Sequence, residues 1–292
     1  MSDFVRQNAT ICSFKNAESW ILLSSIEQSI KHKIESIGIP LKNWDIQINY
    51  GIKTGYNEAF IVSTEKRNKI LANCKDSDER KRTEELIRPI LRGRDIKKYS
   101  YDWSDLWLIN THNGIKGKIE RIHIEDYPSI KAHLDQFWDK ISKRADKGDT
   151  PYNLRNCAYM DDFSKPKIVF QEIVQTSQFI YDKDRHFMCN DTGRIIVGDH
   201  LPFLLGILNS RIFFYAVKKF YGGGVLGEHG VRMKHTFFSK FPCIPYNEKV
   251  ESIAIELSNQ YNNVTSEQLE SLINSLYTLT QEEIEVIKQE SM

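Results

Sequence analysis

The stretch INYGIKTGYNEAFIV (48–62) sets two glycines and a threonine between two apolar runs. A Walker-type phosphate loop needs Gly-x-x-x-x-Gly-Lys-Ser/Thr. Here Gly51 and Gly55 are four apart, and Tyr56 stands where the lysine would be. A dinucleotide fingerprint needs a third glycine opening a helix, and none follows. The stretch therefore reads as strand, tight turn, strand, with glycine supplying a positive φ. WDIQINYGI and NEAFIV are the two strands. The polar turn residues Lys53, Thr54, Tyr56 and Asn57 become candidates for presentation to a partner.

At 292 residues, with 40% hydrophobic and 11% aromatic side chains, the chain has ample material for a core, in one large domain or two smaller ones. Overall charge is +1 but is unevenly spread. Residues 247–292 hold nine acidic and two basic side chains, −7 in all, which leaves +8 on residues 1–246. A basic body suits a polyanionic partner. The five cysteines are scattered without a Cys-x-x-Cys pair, which argues against zinc and against a disulfide framework. Reduced thiols and a cytoplasmic location are expected, with no membrane partner. The apolar run LPFLLGILNSRIFFYAV (201–217) is short and polar in its middle, so it reads as a buried helix.

Ser24 and Glu27 have capping-box spacing, and Ile26, Ile30, Ile34 and Ile37 follow at helical intervals. A helix over about 24–37 is expected. Residues 64–98 carry twelve basic and seven acidic side chains, with a short helix in SDERKRTEELIRPIL stopped by Pro89. DLWLIN (105–110) reads as a strand before an Asn113-Gly114 turn. Residues 127–145 read as a helix with Pro128 early. PKIVFQEIV, QFIYD, HFMCN and RIIVG read as an antiparallel meander, and 218–234 as a flexible Gly-rich loop. Leu269, Leu272, Ile273, Leu276 and Tyr277 form a helical stripe, and Thr280 and Glu283 open another short helix. The organisation expected is residues 1–246 as one domain and 247–292 as a helical tail.

RDIK offers Asp95-x-Lys97 with Asp76, Asp78 and Glu84 upstream, a loose echo of metal-dependent nucleases. An amino-methyltransferase needs an Asn/Asp/Ser-Pro-Pro-Tyr/Phe loop, and no Pro-Pro dipeptide occurs. Basic and aromatic residues interleave at 86–103, at 144–156 and at 218–234, a pattern suited to nucleic acid. The histidines lack metal-ligand spacing.

GIKTGYNEAFIV, ELIRPILRGRDIKKY, LWLINTHNG, YPSIKAHL, PYNLRNCAYMDDFSKPKIVFQEI, LLGILNSRI and FPCIPY occur in that order. This series resembles the TaqI-like C-terminal specificity domain of type IIG restriction–modification enzymes, from about Trp20 to Tyr246. The tail pattern INSLYTLTQEEIEVI is similar to the helical end of these enzymes and of type I specificity subunits. The resemblance implies an α+β target-recognition domain with a mixed, largely antiparallel curved sheet and flanking helices. It implies recognition of double-stranded DNA rather than catalysis, with the chain as the C-terminal portion of a longer enzyme. Methyltransferase and nuclease domains of that parent would use S-adenosylmethionine and Mg; no cofactor or metal is expected in this chain. The DNA contacts expected are Lys53, Thr54, Tyr56, Asn57, Arg92, Arg94, Asn113, Lys116, Arg155, Tyr221, Gly222, Gly223, Gly224, Arg232 and Lys234. The alternatives are a metal-dependent nuclease fragment using Asp95 and Lys97, and a module docking a methyltransferase subunit through the helical tail.

Overall fold

The computed structural model describes residues 23–222, 225–226 and 230–291. Its helices are α1 (Ser25–Ile37), α2 (Asn57–Phe60), α3 (Thr64–Ala72), α4 (Ser77–Leu86), α5 (Pro128–Asp135), α6 (Trp138–Ile141), α7 (Leu201–Leu208), α8 (Arg211–Ala216), α9 (His235–Phe238), α10 (Glu248–Asn259), α11 (Asn263–Leu276) and α12 (Gln281–Glu290). Its strands are β1 (Ile39–Pro40), β2 (Ile46–Tyr50), β3 (Ile61–Ser63), β4 (Ile87–Leu91), β5 (Leu106–Ile109), β6 (Lys167–Gln171), β7 (Ile173–Val174), β8 (Phe179–Asp182), β9 (Met188–Cys189), β10 (Gly193–Gly198), β11 (Val225–Leu226), β12 (Gly230–Arg232) and β13 (Pro242–Cys243). The architecture is α+β, with open, mostly antiparallel sheets, as the sequence leads one to expect. The chain divides into two compact units. The central unit holds Ile46–Glu172 and Gln178–Leu201; the outer unit holds the chain up to Asp45, Ile173–Ser177 and Pro202 onward.

The central unit has two four-stranded sheets, ordered β2-β10-β6-β8 and β3-β5-β4-β9. The first is antiparallel throughout; in the second, β4 and β9 run parallel. The apolar runs of β6 and β10 are buried almost end to end. The expected hairpin across 48–62 is not formed, because β2 and β3 belong to different sheets. The cause lies at Gly51. Its N–H donates to Gly193 O (3.1 Å), Ile52 N donates to Cys189 O (2.7 Å), and the Asn190 carbonyl leaves no room for a Cβ. The chain is thus drawn along the 189–193 turn instead of folding back, and NEAF becomes the helical turn α2. Gly55 does take the positive φ, +70°.

The other departures also come from long-range pairing. The charged segment forms two helices, α3 and α4, and Pro89 lies inside β4 rather than ending a helix. β4 pairs with β5 through Ile87–Pro89 and with β9 through Ile90 and Leu91, so the missing proline N–H falls where the ladder changes partner. Residues 127–145 split into α5 and α6, with Pro128 at the first turn. Only β6 and β8 keep the meander pairing, since β9 leaves for β4 and β7 pairs with β12.

In the outer unit the 201–217 run breaks at Asn209-Ser210, where Ser210 Oγ caps α8 by accepting from Phe213 N (3.3 Å). Among the described residues no single helix is long and apolar enough to cross a membrane; α7 and the helix from Arg211 to Tyr221 meet that length only as a pair bent by 66°. The segment expected as a Gly-rich loop is a π-helical turn, Val217–Tyr221, followed by the antiparallel β11–β12 pair. Gly206 on α7 lets Ala254 and Val250 of α10 approach closely. Both capping boxes form, at Ser24/Glu27 and Thr280/Glu283. Glu283, 3% exposed, also accepts from Ser29 Oγ (2.7 Å) and Lys33 Nζ (2.7 Å) on α1. The buried Tyr277 hydroxyl donates to Pro242 O (2.7 Å) and accepts from Ile244 N (3.1 Å).

Lys167 and Asp182 stand opposite each other on β6 and β8 and form a buried ion pair of 2.6 Å. Lys167 also donates to Phe163 O, while Asp182 accepts from the N–H groups of His186 and Phe187. Removing one partner of such a pair strands the other charge. Asp182→Ala should cost roughly 3–5 kcal/mol, read as a lower urea midpoint. Burial alone would raise the Glu283 pKa, but Lys33, Thr280 N–H and Ser29 outweigh it and hold it below the usual glutamate value. Its contribution is therefore full above the ordinary glutamate range and lost as pH falls through the depressed value. Glu283→Gln should flatten the acid limb of a melting-temperature profile.

Candidate nucleic-acid interface

In the central unit the turn 51–57 is tied to the loop 144–156 by one buried side chain, and that loop is tied to 111–123 by Asn153 and Thr111. Arg144 is 7% exposed. Its guanidinium donates to the carbonyls of Thr54, Asp146 (2.8 Å), Pro151 (3.1 Å) and Asn153 and lies 4.4 Å from the centre of the Phe60 ring. Burial lowers its pKa to about 10, with Asp146 opposing, so it stays charged at neutral pH. Asn153 Nδ2 carries the bonding onward to His112 O (3.4 Å) and Ile122 O (2.9 Å). Thr111 Oγ1 donates to Tyr152 O (2.7 Å), and Leu154 N to Thr111 O (2.8 Å). Asn113 Oδ1 accepts from Asp149 N (2.9 Å), and its Nδ2 donates to Asp149 and Asn156.

This framework exposes part of the expected set. Lys53 (2.9 Å) and Arg155 (3.1 Å) share the Asp146 carboxylate, each with its side chain at least half exposed. The Lys53 hydrogen bond, then Arg155, hold the Asp146 pKa down. Asn57 is exposed; its Oδ1 accepts from Thr54 Oγ1 (2.6 Å), which leaves Nδ2 to donate. Lys116 and Arg94 are exposed without a side-chain partner among the described residues. Tyr56 donates to Glu58 (2.5 Å) and packs on Phe137.

Two of the expected residues are engaged by the fold itself. Thr54 is 2% exposed; its hydroxyl orders the turn and is not presented to a partner. Arg92 is tied through Nε (3.1 Å) and Nη2 (2.9 Å) to Asp95, itself 3% exposed, and closes a turn instead of facing outward. The same contacts engage the Asp95 carboxylate proposed for nuclease chemistry, which also accepts from Ser104 Oγ (2.8 Å). Among the described residues no group of three or more His, Cys, Asp or Glu is placed to hold a metal. Sequence reasoning passed over Lys118 and Arg121, which lie on the 111–123 loop with their heads directed to Asp161 and Asp149. The dense cations of GIKGKIERIH were the available signal.

The remaining expected residues belong to the outer unit. The Tyr221 hydroxyl donates to Glu35 (3.1 Å), and burial pushes its pKa far up. Neighbouring Lys218 and Lys219 bind Glu290, and Lys219 also binds Glu27. Gly222 is half-buried against Val217. Arg232 and Lys234 are exposed on and just after β12. Gly223 and Gly224 lie outside the described residues.

Residues 88–225 match the TaqI-like C-terminal specificity domain. The type II methyltransferase M.BstVI of Geobacillus stearothermophilus is 23% identical over 286 residues, 94% of this chain and 47% of the relative. The chain thus spans about half the length of that curated relative. The solved type IIL restriction-modification enzyme MmeI, in complex with DNA, aligns with a TM-score of 0.61 at 16% identity, over 86% of this chain and 36% of that one. The type IIG restriction endonuclease BpuSI aligns at 0.49 and 13% identity, over 87% and 33%. The MmeI likeness shows a shared fold.

Arg144→Met keeps the aliphatic stem over Phe60 but removes a charged donor from four carbonyls. It should cost about 3 kcal/mol or more and speed amide exchange at Leu154 and Asp149, followed by urea unfolding and hydrogen exchange.

Proposed function

With residues 88–225 matching the TaqI-like C-terminal specificity domain, we propose that this chain reads double-stranded DNA as the specificity region of a restriction–modification enzyme. One observation carries the reading: Arg144 and Asn153 together hold three loops, and their exposed ends bear Lys53, Asn57, Lys116 and Arg155. Lysine and arginine neutralise phosphates, and an amide discriminates base edges. Ion pairs at this surface do not oppose it. An exposed pair is worth only about 0–1 kcal/mol, so Lys53 and Arg155 can exchange Asp146 for a phosphate. The Arg92–Asp95 pair, with its carboxylate buried, cannot make that exchange and is left out of the interface.

The partial coverage of M.BstVI, a type II methyltransferase, supports a longer parent. Methyltransferase and nuclease domains of the same chain, acting on adenine-N6 with S-adenosylmethionine and Mg, would supply the chemistry in a cytoplasmic enzyme. This region would fix where they act. No catalytic role is assigned to it.

The test starts with selection of bound duplexes from a random pool, followed by gel shifts over a range of salt. Affinity should fall linearly on a log–log plot, and Lys53→Ala and Lys116→Ala should each reduce the slope by about 1. Asn57→Ala should cost about 1–3 kcal/mol on the selected site and little on random duplex. Affinity indifferent to salt overturns the proposal.

A further inference from the structure

A cavity of about 310 Å³ opens on the central unit, with His112 and Ile119 of the 111–123 loop in its wall. That volume sits at the lower end of small-molecule sites, roughly 300–1,000 Å³. Its apolar lining includes Met160 and Phe163, both buried. A thioether and an aromatic face make a soft shelf for a flat ring.

Part of its polar lining is uncharged. His112 Nδ1 accepts from Gly114 N (3.2 Å), so the imidazole proton sits on Nε2, which becomes a donor. Burial lowers the His112 pKa and keeps the ring neutral. The buried Asn110 Oδ1 has no hydrogen-bond partner among the described residues, an unpaired acceptor in a class of atoms that is nearly always paired. A donor and an acceptor beside an apolar shelf suit the edge of a heterocyclic base.

Arg82 and Arg88 line the same cavity. Each guanidinium donates only to a backbone carbonyl, Asp126 O (3.4 Å) and Arg185 O (3.2 Å). Neither is in an ion pair among the described residues. Asp161 lies there too, but Lys118 matches its charge, so the two guanidiniums face one unmatched carboxylate, Glu85. A surplus of one positive charge held on planar donors suits a phosphate monoester or diester.

We propose that this cavity binds a nucleoside monophosphate unit, the base against Met160 and Phe163 and the phosphate against Arg82 and Arg88. The unit is either a free nucleotide or one unstacked from DNA. The proposal does not rest on duplex recognition by the 51–57, 111–123 and 144–156 loops, because its first test uses mononucleotides alone.

The four deoxynucleoside monophosphates are titrated into the full chain by calorimetry and saturation-transfer NMR, beside inorganic phosphate and the bare nucleosides. At least one nucleotide should bind saturably at millimolar concentration, about tenfold tighter than phosphate or nucleoside alone. Arg82→Met, on an exposed side chain, should weaken it about tenfold, the loss of one charge-assisted contact. Ser164→Trp, at an exposed lining position, should abolish it by bulk. Thermal melts of both variants establish that they fold. Absence of saturable binding by the wild type, or undiminished binding by both folded variants, overturns the proposal. Displacement by a hairpin carrying one bulged nucleotide, but not by a fully paired one, assigns the site to DNA; displacement by neither assigns it to free nucleotide.

Discussion

A buried guanidinium has one way to be tolerated: its donors must be met. Arg144 meets most of this condition: its two terminal nitrogens donate to four backbone carbonyls, three within its own loop and one across to the 51–57 turn, while the buried Nε has no partner among the described residues. Carbonyls are fixed in the chain, so satisfying the arginine fixes the path of both segments. Gly55, with its positive φ and with Asp146 O and Arg144 Cδ close to where a Cβ would stand, is the backbone's side of the same constraint. A recognition surface made of loops needs such a device, because loops lack the ladder bonds that hold strands in place.

Charge on this chain is less free than its distribution along the sequence implies. Part of the acidic tail is matched within its own unit: Glu267 holds Arg211, Glu283 holds Lys33, and Glu290 holds Lys218 and Lys219. Lys218 and Lys219 are themselves sunk into the fold beside Glu290, whereas Arg94 and Lys116 are exposed without a side-chain partner among the described residues. The distinction is one of burial. A cation that is itself largely buried stays with its partner, and one at the surface is released to any comparable anion.

Local chemistry was readable in the sequence. The Ser24 and Thr280 caps, Pro128 at a helix start, β5, and the β6–β8 pairing each depend on residues a few positions apart. What escaped reading depends on partners far away. Nothing within 48–62 announces that Gly51 will lie against Asn190 and send β2 and β3 to different sheets. Nothing near Pro89 says that the strand will change partner there. Arg144 looked like one more cation in RADKGDTPYNLRN, since only the position of Phe60 and the Thr54 carbonyl makes it internal. For the candidate surface, residue type pointed to the right loops, yet burial decided which of their side chains remain available.

The chain path of the outer unit has a consequence for how the molecule is made. Its α1 leaves the ribosome early, yet Glu283, which binds Lys33 and Ser29 of that helix, arrives some 250 residues later. Until then Ile30 and Ile34, fully buried in the finished fold, have no tail to cover them. The central unit also closes late, with Tyr50 waiting for Arg194 across the sheet. Pairings this distant in sequence make for slow acquisition of structure and a long interval with apolar surface uncovered. Nascent chains of this protein are natural clients for holding chaperones, and heterologous expression should favour slow synthesis at low temperature.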